Sequence, residues 1–380
     1  MNRQRFLLLI AITAAAVLLV VLLGRDPSGG GAPEEGEMLL PGLDEVVNEV
    51  DAVDIVAPGG AIAVSLRRDE KRWRVTQKDG YEAEFSRVVD LLRALSQARL
   101  AEPKTANPEL YDRLGVQDVA EPDATGRRVD FPGREISSVI VGQAGPTGEA
   151  SYARRAGEAR SWLLDRIIEV PVDPITWLEP GIMDIPSSDI ARVVIRHPDG
   201  ETVRLDRVGD DEPEFVLRDV PEGRSAAQPW KRNAVANGLR ALNLEDVKRF
   251  EPPVPDDAVG VLFTTTDGLN FVVDLFEADG KYWAHFTVSA ENPASEAEAE
   301  KPAEGESGER VPEDGEETEG GAEGQAEDDA ENQANERLAS AVAVDARLSP
   351  WLFAIPERRY NDLTQRMEDL LEPLEEEDES

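Results

Sequence analysis

The chain lacks cysteine, has only two histidines and is short of positive charge: 40 lysines and arginines face 78 acidic residues among 380, a formal net charge of −38. Without cysteine there can be no disulfide, thiolate metal site, cysteine nucleophile or acylated lipoprotein terminus. A folded part must therefore depend on ordinary hydrophobic cores, for which 41% hydrophobic residues suffice. The negative charge argues against nucleic acid as a partner, because two polyanions repel each other.

Long apolar runs are also scarce, and the only one lies near the N-terminus. Phe6 to Leu23 is free of charge, and a helix of about 18 residues spans roughly 27 Å, close to the hydrocarbon core of a bilayer. Arg3 and Arg5 precede the run, which places the N-terminus in the cytoplasm. The alternative is a cleaved secretory signal, although the run ends without the small residues of a cleavage site. The sequence predicts residues 1–24 as a single-pass anchor in the cytoplasmic membrane, with the bulk of the chain periplasmic.

A repeated strand pattern follows a linker. Residues 25–40 are rich in Gly, Pro and Glu and predict a flexible linker. Beyond it, apolar and polar residues alternate in three successive segments, as is typical of half-buried strands. A second trio of such segments follows at an offset of about 140 residues. The trios begin at Val53, Ala63 and Arg72 in the first copy and at Val193, Thr202 and Glu214 in the second. An amphipathic helix follows each trio, predicted over residues 84–97 and 229–243.

The predicted fold is α+β, with two tandem related units of antiparallel sheet and packed helices at residues 41–182 and 183–375. The strand at Trp162 in the first copy corresponds to the strand at Trp351 in the second. The connection before Trp351 is much longer, and its residues 291–336 hold 18 acidic and 2 basic side chains. We therefore expect residues 290–336 to form a disordered acidic insertion in a hairpin loop. Residues 376–380 form an acidic tail.

Several short motifs resemble those of the bacterial domain-of-unknown-function family 4340. They include Leu114-Gly115-Val116, Ile140-Val141-Gly142, Ser151-Tyr152-Ala153-Arg154-Arg155 and the closing Trp-Leu-Leu strand at Trp162. The family usually has Tyr-Gly-Leu before a proline at the first of these, whereas here Pro122 comes somewhat later. The resemblance covers residues 40–290 and 338–375. It implies an auxiliary protein beside ABC-type transporters of the gliding-motility kind and supplies no catalytic residue.

Motifs that carry chemistry are missing. His197 and His285 stand apart from any carboxylate set with zinc spacing, and the sequence contains neither G-x-S-x-G nor a phosphate-binding G-K-S/T loop. Asp184 and Asp189 bracket a turn and are better explained as caps than as a glycosidase pair. The sequence therefore predicts no catalytic, cofactor-binding or metal-binding residue.

Three residues are candidates for contact with a partner. Trp230 opens the second amphipathic helix, and Arg154 and Arg155 form an adjacent basic pair. The first functional hypothesis is a non-enzymatic accessory or scaffold subunit of an ABC-type transport or envelope complex, with a protein partner. The second is a periplasmic module that binds an envelope glycan or peptide, and the third is an enzyme of unrecognised type.

Overall fold

The computed structural model describes residues 33–70, 72–209, 214–290 and 323–373, with side chains of the last range described from residue 334. In chain order the strands of these residues are β1 Ala52–Val56, β2 Ile62–Asp69, β3 Arg72–Val75, β4 Tyr81–Glu82, β5 Leu100–Pro103, β6 Arg127–Asp130, β7 Val139–Ala144, β8 Ser151–Arg155, β9 Ser161–Leu164, β10 Gly181–Met183, β11 Ile190–Arg196, β12 Thr202–Val208, β13 Glu214–Leu217, β14 Leu242–Asn243, β15 Asp246–Arg249, β16 Val259–Thr265, β17 Leu269–Ala278, β18 Lys281–Ala290 and β19 Trp351–Ile355. The α-helices are α1 Leu43–Val46, α2 Phe85–Gln97, α3 Pro229–Ala236, α4 Glu323–Leu348 and α5 Glu357–Leu363. The predicted α+β class is confirmed.

The chain divides into two compact units. The first contains residues 33–69 and 86–172, and the second contains the described residues within 70–85 and 173–373. The predicted boundary after residue 182 is therefore too late. Residues before it already belong to the second unit, because Glu84 donates its amide to the Trp177 carbonyl at 2.8 Å and β10 pairs with β14.

Both units carry an antiparallel sheet with the same strand order. The first unit orders its strands β2-β1-β6-β7-β8-β9-β5, and the second orders them β12-β11-β16-β17-β18-β19-β15, with β13 beyond β12. Each strand of the first series thus has a counterpart in the second at the same place in the sheet. The large side chains buried in the second unit include Phe215, Phe263, Phe286 and Phe353. The repeat inferred from the sequence is therefore present in the sheet topology.

The acidic insertion lies where the sequence places it, between the counterparts of β8 and β9. In the first unit β8 ends at Arg155 and β9 begins at Ser161, whereas β18 ends at Ala290 and β19 begins at Trp351. The predicted disorder is wrong for residues 323–336, which lie in α4. This helix docks against β18 and buries Ala341 and Leu348, so packing stabilises its C-terminal half.

The two predicted amphipathic helices differ in length. Helix α2 matches its predicted range and buries Val88, Leu91, Leu92 and Leu95 on one face. The second helix was predicted to reach residue 243 but ends at Ala236. Gly238 follows in a turn, and a Cβ there would lie 2.2 Å from Leu363 Cδ2, so this turn packs closely on α5.

The predicted linker of residues 25–40 extends too far. Gly36 donates its amide to the Leu100 carbonyl at 2.7 Å, Leu39 donates to the Ala98 carbonyl at 2.7 Å, and Leu40 is buried. Residues 36–40 are therefore part of the first unit, since apolar burial outweighs the entropy of a free linker.

The predicted anchor, residues 1–24, and the acidic tail, residues 376–380, lie outside the described residues. Within the described ranges, no helix is both long and apolar enough to cross a bilayer.

Candidate binding surface

The two units differ in how the outer face of the sheet, opposite the buried face, is covered. In the first unit, residues 104–126 connect β5 to β6, and Val119 from this connection packs on Val56 and Ile140. All three side chains are at least 98% buried. In the second unit the connection between β15 and β16 is only residues 250–258. The cover of the first sheet therefore has no counterpart of similar length in the second.

The strand registers show what replaces the covered residues. Ile55 of β1 pairs with Val64 and Val129, and Ile195 of β11 pairs with Val203 and Val261. Ile195 thus corresponds to Ile55, and the residue after each makes Arg196 the counterpart of Val56. Following the cross-strand pairs from these two residues over the next two strands makes Asp274 the counterpart of Ile140. The two apolar positions under Val119 are thus charged in the second unit, which fits a face open to water.

Four arginines surround this open part of the second sheet. We call it the arginine face and define it by Arg192 and Arg196 of β11, Arg204 of β12 and Arg218 after β13. It forms a depression of about 540 Å3 whose floor includes Val194, Leu262, Thr264 and Asn270. Because side chains alternate along a strand, the arginines point away from Val193, Ile195, Val203 and Leu205 in the core.

Two aspartates organise the arginine face. Asp206 lies between Arg192 and Arg218, which donate to its two oxygens at 2.9 and 2.7 Å. Burial raises the pKa of Asp206, but these hydrogen bonds outweigh it and hold the pKa below its usual value. Arg204 pairs with Asp219 at 3.1 Å. Arg196 has no ion pair to any side chain that the structure describes, so the face keeps net positive charge in a strongly acidic chain.

The predicted contact residues Arg154 and Arg155 are not part of an open surface. Both are more than 90% buried. Arg154 donates from Nε to the Val116 carbonyl at 2.8 Å and stacks over the Tyr111 ring at 4.6 Å. It thereby fixes the connection that covers the first sheet. The pair serves the fold, since burying a guanidinium requires that its donors be satisfied.

Arg155 holds the segment that precedes the first sheet. It donates from Nε to the Leu39 carbonyl at 2.7 Å and from Nη2 to the Met38 carbonyl at 2.9 Å. We expect Arg155→Met to speed amide exchange of residues 36–40 at least about tenfold, because hydrogen bonds from charged donors are among the strong ones. Hydrogen exchange read by mass spectrometry measures this. Arg160→Met is the control, since Arg160 is exposed and bonds only the Lys104 carbonyl; equal exchange in both variants would contradict the assignment.

Trp230 is the one predicted contact residue that is exposed, with 66% of its surface accessible at the start of α3. The other five tryptophans are buried: Trp73, Trp162, Trp177, Trp283 and Trp351. Two turns after the start of α3, Val235 is fully buried, so the helix faces the core with its other side. A partner at Trp230 stays a prediction.

Neither histidine stands beside a ligand set. His197 Nε2 lies 3.3 Å from the Gln365 carbonyl, and His285 Nε2 lies 3.0 Å from the Ser349 carbonyl, with its ring stacked on Phe250. Across the described ranges, no three His, Asp or Glu side chains are grouped to hold a metal ion. Asp184 accepts a hydrogen bond from the Ala241 amide at 2.8 Å and thus caps a turn.

The repeated sheets and docked helices define a duplicated α+β protein. Residues 73–259 match the model of DUF4340, a domain of unknown function, so the chain carries a domain of this family and the predicted resemblance is confirmed. The match begins in β3 and ends at the first residue of β16, and thus spans parts of both copies. No curated protein and no solved structure matches the chain.

Proposed function

We propose that this protein is a membrane-anchored extracytoplasmic scaffold or accessory subunit, of an ABC-type transport or envelope complex, that binds an acidic segment of a partner protein on its arginine face. The observation that carries the proposal is the uncovered second sheet. Its first-unit counterpart is sealed by Val119, whereas here Arg196 stands free of any ion pair to a described side chain.

Charge complementarity favours an acidic protein segment as the occupant. Asp206 and Asp219 are already engaged by three arginines, so they do not cancel the remaining donors. Guanidinium groups bind carboxylates in a planar, two-pronged geometry, and an extended peptide presents carboxylates at strand spacing. The apolar floor of Val194 and Leu262 adds contact area between the charges.

Chemical crosslinking in membranes, followed by mild detergent extraction, tests this proposal. Crosslinked peptides identified by mass spectrometry are expected to join the arginine face to an acidic stretch of one partner. Arg196→Glu is expected to lower the recovery of that partner about tenfold or more, because like charges are then juxtaposed. Raising the salt concentration is expected to lower it as well.

The matched control is Arg93→Glu, which reverses an exposed arginine on α2 that pairs only with Asp90. It is expected to leave recovery unchanged. Equal recovery with Arg196→Glu, or crosslinks confined to other surfaces, would overturn the docking site. Separation of membrane and soluble fractions tests the anchor: a shortened soluble protein would overturn the anchored part of the proposal.

A further inference from the structure

A second depression in the same unit is lined by arginine and aromatic side chains. It has a volume of about 480 Å3, within the range of small-molecule sites. Its lining includes Arg72, Tyr81, Glu179, Arg249, Arg347 and Trp351. All of these belong to the second unit, and none belongs to the arginine face. We call it the tyrosine pocket.

Tyr81 supplies a hydroxyl without a partner. The residue is 93% buried and is held edge-on by Trp351 and Phe353, with ring centroids at 5.0 and 6.0 Å. Its hydroxyl forms no hydrogen bond to any other residue that the structure describes. Burial raises the pKa of Tyr81 to about 12, and Arg347, Glu179 and Glu82, which also line the pocket, act on the same hydroxyl. The hydroxyl therefore stays protonated at neutral pH and can donate a hydrogen bond.

Two guanidinium groups are fixed beside it without carboxylate partners among the described residues. Arg249 lies over the Trp351 ring at 4.0 Å, which restrains its side chain by a cation–π contact. Arg347 donates from Nη1 to the Ile182 carbonyl at 2.8 Å and keeps its other donors. Arg72, in contrast, pairs with Glu82 at 3.6 Å. The pocket therefore offers two restrained cations and one hydroxyl without a partner among the described residues.

From this arrangement we infer that the tyrosine pocket binds the carboxylate of a small organic ligand, with Tyr81, Arg249 and Arg347 as donors. The planar guanidinium fork matches the two oxygens of a carboxylate. Arg74, which donates to the Gly80 carbonyl at 3.1 Å, also lines the pocket, and Glu179 is the acidic lining residue outside the Arg72–Glu82 pair. The Glu179 carboxylate repels a second negative charge on the ligand, which disfavours a doubly charged phosphate. Glu179 also accepts a hydrogen bond from a hydroxyl or ammonium group elsewhere on the same ligand.

Saturation-transfer NMR on the full chain in detergent, with acetate, glycine and inorganic phosphate as separate probes, tests the inference. Acetate and glycine are expected to bind saturably and more tightly than phosphate, and glycine more tightly than acetate because its ammonium group reaches Glu179. Tyr81→Phe, which removes only the hydroxyl, is expected to weaken both about tenfold, as is Arg347→Gln. Arg218→Gln is the control and is expected to change neither.

Three outcomes would overturn the carboxylate site: no saturable binding of either carboxylate, tighter binding of phosphate, or unchanged affinity in both pocket variants. Tyr81→Phe keeps the aromatic ring and its packing, so circular dichroism is expected to match that of the unsubstituted chain. The pocket and the arginine face share no residue, and failure here leaves the scaffold proposal standing.

Discussion

Gly142→Ala is expected to destabilise the first unit by about 3 kcal/mol, the upper range for forcing an atom into a packed site. A Cβ at Gly142 would lie 2.2 Å from the Leu114 carbonyl oxygen and 2.9 Å from Val116 Cγ1. The first of these contacts is with backbone, and the Gln143 amide already donates to the same carbonyl at 2.9 Å. The Leu-Gly-Val motif therefore packs on β7 at a distance that only glycine allows.

Gly260→Ala is the matched control, because Gly260 also lies in a strand and a Cβ there would meet only Asp274 Oδ1, at 4.0 Å. This change is expected to alter the free energy of unfolding by less than about 0.5 kcal/mol. Urea denaturation followed by tryptophan fluorescence measures both variants, and hydrogen exchange assigns the loss to one unit. Similar stabilities for the two variants would contradict the close approach of the motif.

Asp246→Asn is expected to destabilise the second unit by about 3 kcal/mol at pH 7, near the lower limit for breaking a buried ion pair because Lys281 is partly exposed. Asp246 has a nearly buried side chain and accepts from Lys78 and Lys281 at 2.6 Å each. The amide keeps the shape of the carboxylate but leaves two lysines facing a neutral group. The hairpin of β3 and β4 would thereby lose its bond to β15.

The effect of Asp246→Asn depends on pH in a defined direction. Burial raises the pKa of Asp246, but the bonds from Lys281 and Lys78 outweigh it, so the folded pKa lies below the usual value of 3.8. A lowered folded pKa contributes stability that is present above the usual pKa and is lost as pH falls through the folded pKa. The difference between the two proteins should be constant from about pH 5 to 8 and shrink below about pH 4.

Thermal and urea unfolding at several pH values measure this dependence. The control is Asp219→Asn, which removes an exposed partner of Arg204 and is expected to cost less than about 1 kcal/mol at any pH. A difference for Asp246→Asn that persists unchanged at pH 3 would contradict the ion-pair explanation.

Alternation and spacing were sufficient to predict the strands of both trios and the repeat, because half-buried strands need an apolar residue at every second position. β6 was missed, since Arg127–Asp130 contains a single apolar residue and gives no alternation to detect. The second helix was overextended because Leu239 and Leu242 continue its apolar spacing. They are indeed buried, but Leu239 lies in the turn after α3 and Leu242 lies in β14. Apolar periodicity therefore predicts which residues are buried, whereas tertiary contacts decide whether a helix, a strand or a turn contains them.

The candidate sites were harder to predict because they depend on what lies over a sheet. Arg154 and Arg155 have the sequence of a basic surface pair, yet backbone carbonyls distant in sequence satisfy them. The arginine face belongs to strands that the sequence identifies, but local pattern does not show which polar face stays open. The feature of the sequence that could have indicated the open face is the difference in length between equivalent connections, residues 104–126 in the first copy and 250–258 in the second. The tyrosine pocket joins β4, β15 and α4, which are far apart in the chain.

The short connection of residues 250–258 bears on how such a protein acquires a new role. After a duplication, one copy can keep its covering loop while the other loses it, and the exposed sheet then needs only a few polar substitutions to remain soluble. Val56 and Ile140 against Arg196 and Asp274 show that the two copies differ in side-chain polarity at the same sheet positions at which they differ in cover. The length of one connection, without any added domain, is therefore enough to make one sheet face a packed interior and the other a charged surface.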